Sequence, residues 1–309
     1  MATASSAAAP TRALGVLWRF SRPHTVIGTA LSVAGLFVIA VALVPGIDAG
    51  DGAFHLFWTL VAALCVNVYI VGINQLTDVE IDRVNKPFLS LAAGELAPEQ
   101  AWAIVAGAGA LAIGLALTQG VLELAAVTGA LLVGTAYSLP PLRLKRYPVL
   151  ASLCVSGVRS ALVNLGVYAH FTAALAGAAV IAAPVWALTA FVLPFSLAIA
   201  ILKDVPDLEG DRRHRIATFT VRFGGRRVLG AGMGVLTAAY AGMVVAAPLV
   251  DGAQPIVLAV AHAGALALLW RFAGEVDPGD HASVTRFYLR VWKLFFLEYP
   301  IVALACLAA

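Results

Sequence analysis

Long apolar runs separated by short polar breaks set the pattern of this chain. Ala53 to Thr77 reads AFHLFWTLVAALCVNVYIVGINQLT, without one charged residue. A helix needs about 20 apolar residues to cross a hydrocarbon core of roughly 30 Å. Nine runs fit that requirement, approximately 24–45, 53–77, 101–118, 121–138, 149–170, 177–202, 228–248, 254–272 and 288–308. The third and fourth are separated only by Gln119 and Gly120, which predicts a tight hairpin. The fourth ends before Pro140-Pro141, where helix does not readily continue. The expected fold is all-α: a polytopic membrane bundle of nine transmembrane helices in one domain, 24–309. Residues 1–23 are expected to form a disordered lead (MATASSAAAP) and an interfacial segment (Leu14 to His24).

Charge placement supports the count. The even-numbered loops and the N-terminus hold nearly all the Lys and Arg: Arg12, Arg19, Arg22; Arg83, Lys86; Arg143, Lys145, Arg146; a basic run from Lys203 to Arg227; Arg271, Arg286. The odd loops carry Asp48, Asp51, Glu123 and Asp251 instead. The positive-inside rule then puts the N-terminus and even loops in the cytoplasm and the C-terminus outside. Composition agrees, with 61% hydrophobic and 12% charged residues against about 25% charged in soluble domains. Its Ala/Gly/Val-rich character and the lack of a transit-peptide pattern point to a bacterial inner membrane. Cys65, Cys154 and Cys306 lie in apolar runs with no metal or disulfide spacing.

Two loops open on carboxylates directly after a span. One reads DVEIDR (78–83) and the other DLEGDR (207–212). The shared pattern predicts an internal duplication, 74–83 and 203–212, with both clusters facing each other on one membrane side. Asn74, Asp78 and Asp82 are four apart and stack on one helical face, with Asn67 deeper on the same face. Asp204, Asp207 and Asp211 follow a similar spacing, interrupted by Pro206.

Converging carboxylates repel, by about 4 kcal/mol for a pair at 4 Å in a dielectric near 20. Asp78, Asp82, Asp204, Asp207 and Asp211 therefore call for a cation. The donors are hard oxygens, and His214 is the one nearby imidazole, which selects Mg²⁺ or a similar ion over zinc. Mg²⁺ commonly shares its shell with substrate phosphates. Arg83, Lys86, Arg143, Lys145, Arg146, Lys203 and Arg212 surround the clusters as candidate phosphate ligands.

The chain resembles the UbiA superfamily of intramembrane prenyltransferases, marked by NxxxDxxxD and DxxDxxxD motifs. Here they read N74-QLT-D78-VEI-D82 and D204-VP-D207-LEG-D211. Within it the chain looks most like the homogentisate phytyltransferases, through WRFSRPHTVIGT (18–29), YSLPPLRLKRYP (137–148), VNLGVYAHF (163–171) and FYLRVWKLFFLEY (287–299). It departs from the expected pattern at Ser90 and Ser160. The resemblance implies transfer of a phytyl or geranylgeranyl group from its diphosphate to an aromatic acceptor, with Mg²⁺ held between the two Asp motifs. For homogentisate the acceptor's carboxylate leaves as CO₂, and Arg22 and Arg159 are candidates to hold it. Asn67 and Asn74 are candidates to orient the ring or a metal-bound oxygen. Arg159 and Glu298 lie at similar depth in their spans and are expected to pair. The alternatives are another acceptor (chlorophyllide, hydroxybenzoate or naphthoate) and, in a different class, a cation or phosphate transporter. A transporter would place its site near the bilayer midplane, whereas these acids sit at span ends.

Overall fold

The computed structural model describes residues 8–47, 49–214 and 216–309. The expected disordered lead through residue 7, and Asp48 and Arg215, lie outside the described residues, as do the side chains of Arg12 and Asp51. The helices are α1 (Ala8–Phe20), α2 (Pro23–Leu43), α3 (Ala49–Thr77), α4 (Val79–Asn85), α5 (Pro98–Gln119), α6 (Val121–Ser138), α7 (Pro148–Ala176), α8 (Ala183–Leu202), α9 (Leu208–Arg213), α10 (Phe219–Phe223), α11 (Gly225–Ala246), α12 (Pro255–Gly274) and α13 (His281–Leu307). No strand occurs among the described residues.

The chain supplies its own helix starts. Proline opens α2, α5, α7 and α12, at a position whose amide needs no intrahelical partner. Asp280 caps α13, accepting from the amides of Ala282 and Ser283. Gly120, with φ +109°, makes the α5–α6 hairpin as expected.

Eight helices among the described residues are long and apolar enough to cross a membrane. The ninth expected span, α13, has 27 residues, about 40 Å at 1.5 Å per residue. It carries Arg286, Arg290, Lys293 and Glu298, too many charges for composition alone to mark it as a span. Its length and its buried face against α2, α8 and α12 place it in the bundle all the same. The sixth span starts at Ala183 rather than 177, because Gly177 (φ +75°) ends α7 and residues 178–182 are extended or bent. With 13 residues, α1 reaches only about 20 Å and cannot cross.

Small residues let these helices approach closely. A Cβ on Gly35 of α2 would lie 2.7 Å from Cβ of Tyr299 on α13, and one on Gly134 of α6 would lie 2.6 Å from Cγ1 of Ile70 on α3.

Two features depart from expectation. First, the middle of α7, Val158–Val167, is π-helical. Second, Glu298 does not pair with Arg159. It accepts from Nε2 of His262 on α12 at 2.8 Å, and both side chains are fully buried. His262 Nδ1 donates to the Leu258 carbonyl at 2.6 Å, which leaves Nε2 facing Glu298. Equal depth did not bring Arg159 and Glu298 together, because the two side chains leave their helices in different directions.

Candidate active site

The first acidic cluster forms where α3 stops. Asp78 takes non-helical dihedrals between α3 and α4, so the chain turns and Asp82 lands on the inner side of α4. The second cluster forms in the same way. After α8 the chain makes a run of turns through Lys203 to Asp207, and Asp207 precedes α9. The expected broken helix at Pro206 is this turn. Both clusters line one cleft of about 1050 Å³, together with Arg22, Asn74, Lys86, Arg143, Lys145, Arg146 and Lys203.

Two contacts tie the loops to each other across this cleft. Lys86, just beyond α4, forms an ion pair with Asp207. Asn85 Oδ1 accepts from the Gly210 amide at 2.8 Å. Gly210 is required there, since any Cβ would collide with the Asn85 side chain. Neither Asn85 nor Tyr288, which also lines the cleft, stood out in the sequence. Asn85 is an ordinary polar residue at a helix end, and Tyr288 lies in a run that reads as plain span.

The carboxylates differ in how they are neutralised. Asp78 meets Lys145 Nζ at 2.7 Å and Arg143 at 3.5 Å. Thr77 Oγ1 accepts from the same Lys145 at 2.6 Å, fixing the ammonium in place. Asp204 faces Lys203 at 3.3 Å, which holds the Lys203 ammonium well above the ordinary lysine range. Asp82 has Arg22 only at 4.0 Å, and its Oδ2 is buried with no hydrogen-bond partner. Asp211 Oδ2 is likewise buried and unpartnered. Burial raises the pKa of Asp82 against the opposing pull of Arg22 and Lys86, and burial also raises that of Asp204. Asp211 is pushed up to about 7 by burial and by Asp204 and Asp207.

Three expected residues take other places. Arg83 pairs with Glu80 at 2.6 Å on the exposed side of α4. Arg212 is exposed and does not line the cleft. Each directly follows a buried aspartate, and one helical step of about 100° turns it outward. Asn67 Nδ2 donates to the Ser21 carbonyl at 3.1 Å, so it holds the α1–α2 elbow while lining the inner space. Asn74 Nδ2 donates to Asp78 Oδ2 at 3.1 Å and orients that carboxylate.

Below the cleft is a chamber of about 280 Å³ between α2, α3, α6, α7, α8 and α13. Its wall is mostly apolar, with Val66, Ile70, Val127, Leu162 and Phe295 among its residues. Arg22, His24, Asn74, Tyr137, Lys203 and Tyr288 border both spaces, so the two meet there. A charged, basic-rimmed cleft thus opens onto an apolar chamber within the bundle.

The profile of the UbiA prenyltransferase family matches residues 30–297. The chain belongs to this family. Among its relatives, a homogentisate phytyltransferase from Synechocystis sp. is 42% identical over 295 residues, 93% of this chain and 94% of that one. A homogentisate geranylgeranyltransferase from Triticum aestivum is 37% identical over 293 residues, 93% of this chain and 71% of that one. The solved structure of a UbiA homolog from Archaeoglobus fulgidus bound to DMAPP and Mg²⁺ superimposes with a TM-score of 0.63 at 20% identity, covering 93% of this chain and 98% of that one. UbiA prenyltransferases transfer prenyl groups, and the two spaces of this site match the two halves of such a donor. The diphosphate suits the cleft and the hydrocarbon suits the chamber.

Among the described residues, no three carboxylate, thiolate or imidazole groups converge on one point. The residues nevertheless fit a hard divalent ion that shares its shell with substrate. Asp82 and Asp211 each present a buried, unpartnered oxygen, costly unless neutralised. All the donors are oxygen, as Mg²⁺ prefers.

Proposed function

We propose that this UbiA prenyltransferase joins a phytyl or geranylgeranyl group to homogentisate with loss of CO₂. The reading is carried by one juxtaposition: two acidic motifs and a basic rim on a cleft that opens into an apolar chamber. The similarity to homogentisate phytyl- and geranylgeranyltransferases supports the acceptor and the donor class.

Asp78 and Asp82 on one side and Asp204, Asp207 and Asp211 on the other would hold Mg²⁺, which supplies positive charge against the departing diphosphate. Lys86, Arg143, Lys145, Arg146 and Lys203 take the outer phosphate oxygens. Asn74 keeps Asp78 turned into the cleft. As the donor C–O bond breaks, diphosphate leaves with the electron pair, and the apolar chamber wall keeps water from the allylic cation. A ring carbon of the acceptor forms the new C–C bond and loses its proton. The carboxylate leaves as CO₂, and its electron pair stays on the side-chain carbon, which takes up a proton. The proton lost from the ring and the proton gained at the side-chain carbon balance, so the overall reaction releases CO₂ and diphosphate with no net proton. The loop charges support a cytoplasmic position for the cleft, and the composition supports a bacterial inner membrane.

The test is a product assay on purified protein with Mg²⁺, homogentisate labelled in its carboxyl carbon, and phytyl or geranylgeranyl diphosphate. A prenylated methylquinol with equimolar labelled CO₂ is the expected result. Protein that retains prenyl diphosphate but yields neither product overturns the acceptor assignment.

Mg²⁺ affinity in the presence of prenyl diphosphate should depend on pH. The Asp211 pKa is about 7, so this carboxyl is mostly protonated at pH 6 and ionised at pH 8. Mg²⁺ binding must then displace a proton at the lower pH. The expected affinity is about tenfold weaker at pH 6 than at pH 8, from one proton over one pH unit below the pKa. Calorimetric Mg²⁺ titrations at both values check it. D211N should flatten the dependence.

A further inference from the structure

Three cations line the chamber, Arg22, Arg159 and Lys203. Two of them have carboxylates in reach, Asp82 for Arg22 and Asp204 for Lys203. Arg159 has none among the described residues. Glu298 is held by His262, and Glu123, in the first turn of α6 at the end of the bundle away from the cleft, makes no ion pair with it. Arg159 Nη1 is shut off from solvent and has no hydrogen-bond partner. A cation inside a membrane bundle ordinarily has a partner anion. Here the place for that anion is the chamber itself.

The surroundings fix this guanidinium rather than quench it. It stacks over the ring of Trp292 at 4.6 Å and lies 5.4 Å from that of Phe295. Both rings belong to α13. Stacking holds the guanidinium plane while leaving its edge free to donate two parallel bonds to a carboxylate. Arg159 is also the second residue of the π-helical stretch Val158–Val167. Such stretches are rare and gather at functional sites. This one is locked to α13 by Tyr299, whose hydroxyl donates to Asn164 Oδ1 at 2.8 Å. The same two helices therefore position both the guanidinium and the rings that hold it.

We infer that Arg159 anchors the carboxylate of the acceptor, so that the enzyme selects aryl acids over carboxylate-free phenols. This rests on the proposed prenyl transfer to homogentisate and names how that acceptor is recognised. With the carboxylate at Arg159, the acceptor lies inside the chamber and the diphosphate outside it in the cleft. Arg22 is then left to the metal cleft, where Asp82 faces it.

R159M and R159K are compared with wild type in steady-state turnover, in thermal stability and in equilibrium binding of homogentisate without donor. Homogentisate and its carboxamide serve as the two probes. The expected result for R159M is a homogentisate KM and Kd raised 30-fold or more. The KM for prenyl diphosphate stays within twofold, and carboxamide binding is unchanged. R159K, which keeps the charge but not the paired donors, falls between and controls for folding. A homogentisate Kd within threefold of wild type in folded R159M overturns the anchor. Should wild type use a different aryl acid in place of homogentisate, the same comparison is made on that acid and its carboxamide. Turnover by wild type of carboxylate-free acceptors alone overturns the anchor together with the acceptor assignment.

Discussion

Turnover of D82N is expected to fall at least 1000-fold, while the protein is expected to melt at the same temperature as wild type or higher. The two halves of this result have one cause. Asp82 is 5% exposed, and its Oδ2 has no hydrogen-bond partner. Burial raises its pKa, and Asp78 and Asp207 add to the rise. A carboxyl whose pKa rises on folding favours the fold only below its unfolded value, and that contribution is lost as pH rises through the folded one. Above that folded value the ionised Asp82 therefore opposes folding. Asparagine has the same shape without the charge and relieves that opposition. In the proposed metal site it also removes one of the carboxylate oxygens offered to Mg²⁺. A 1000-fold loss corresponds to about 4 kcal/mol of transition-state stabilisation. Turnover with saturating Mg²⁺ and a thermal melt of the same preparation check both halves. A variant that keeps more than a tenth of wild-type turnover would remove Asp82 from the metal set.

E298L should have the opposite profile, with stability lost and the cleft left intact. His262 and Glu298 are fully buried and bonded to each other at 2.8 Å. Taking one member from a buried pair leaves the other without its partner, at about 3–5 kcal/mol. Replacing both with apolar residues of similar size is often near neutral. The expected order of melting temperature is therefore wild type close to H262L/E298L, with E298L well below. Equal melting of E298L and the double variant would mean that the pair contributes nothing by itself.

The parts of the molecule that were legible in the sequence are those that report along the chain. A span needs length and apolarity, and the alternation of Arg and Lys between loops corrects errors in the count. The Asp motifs repeat their own spacing, so their meeting in one cleft could be expected. Direction around a helix axis is less visible. Arg159 and Glu298 agree in depth and still miss each other, and His262 gave no signal beyond a single imidazole in an apolar run. Arg83 and Arg212 adjoin the right residues in sequence and face the wrong way in space. The π-helical stretch around Arg159 leaves no mark in hydropathy, since adding one residue per turn does not change which residues are apolar.

The elbow between α1 and α2 has a consequence for biosynthesis. Asn67 donates to Ser21 and Gln75 to Phe20, at 3.1 and 2.6 Å. Both acceptors precede α3 in the chain, so these two amides meet their partners as soon as that helix enters the bilayer, whereas His55 and Tyr69 wait for Gln119 and Thr135. Lys86 is different, because its partner Asp207 is 121 residues later. At 5–20 residues per second, ribosomes take roughly 6–24 s to supply it. During that interval the first acidic motif exists without the second. The bundle must hold one side of the proposed site before the other side has been made.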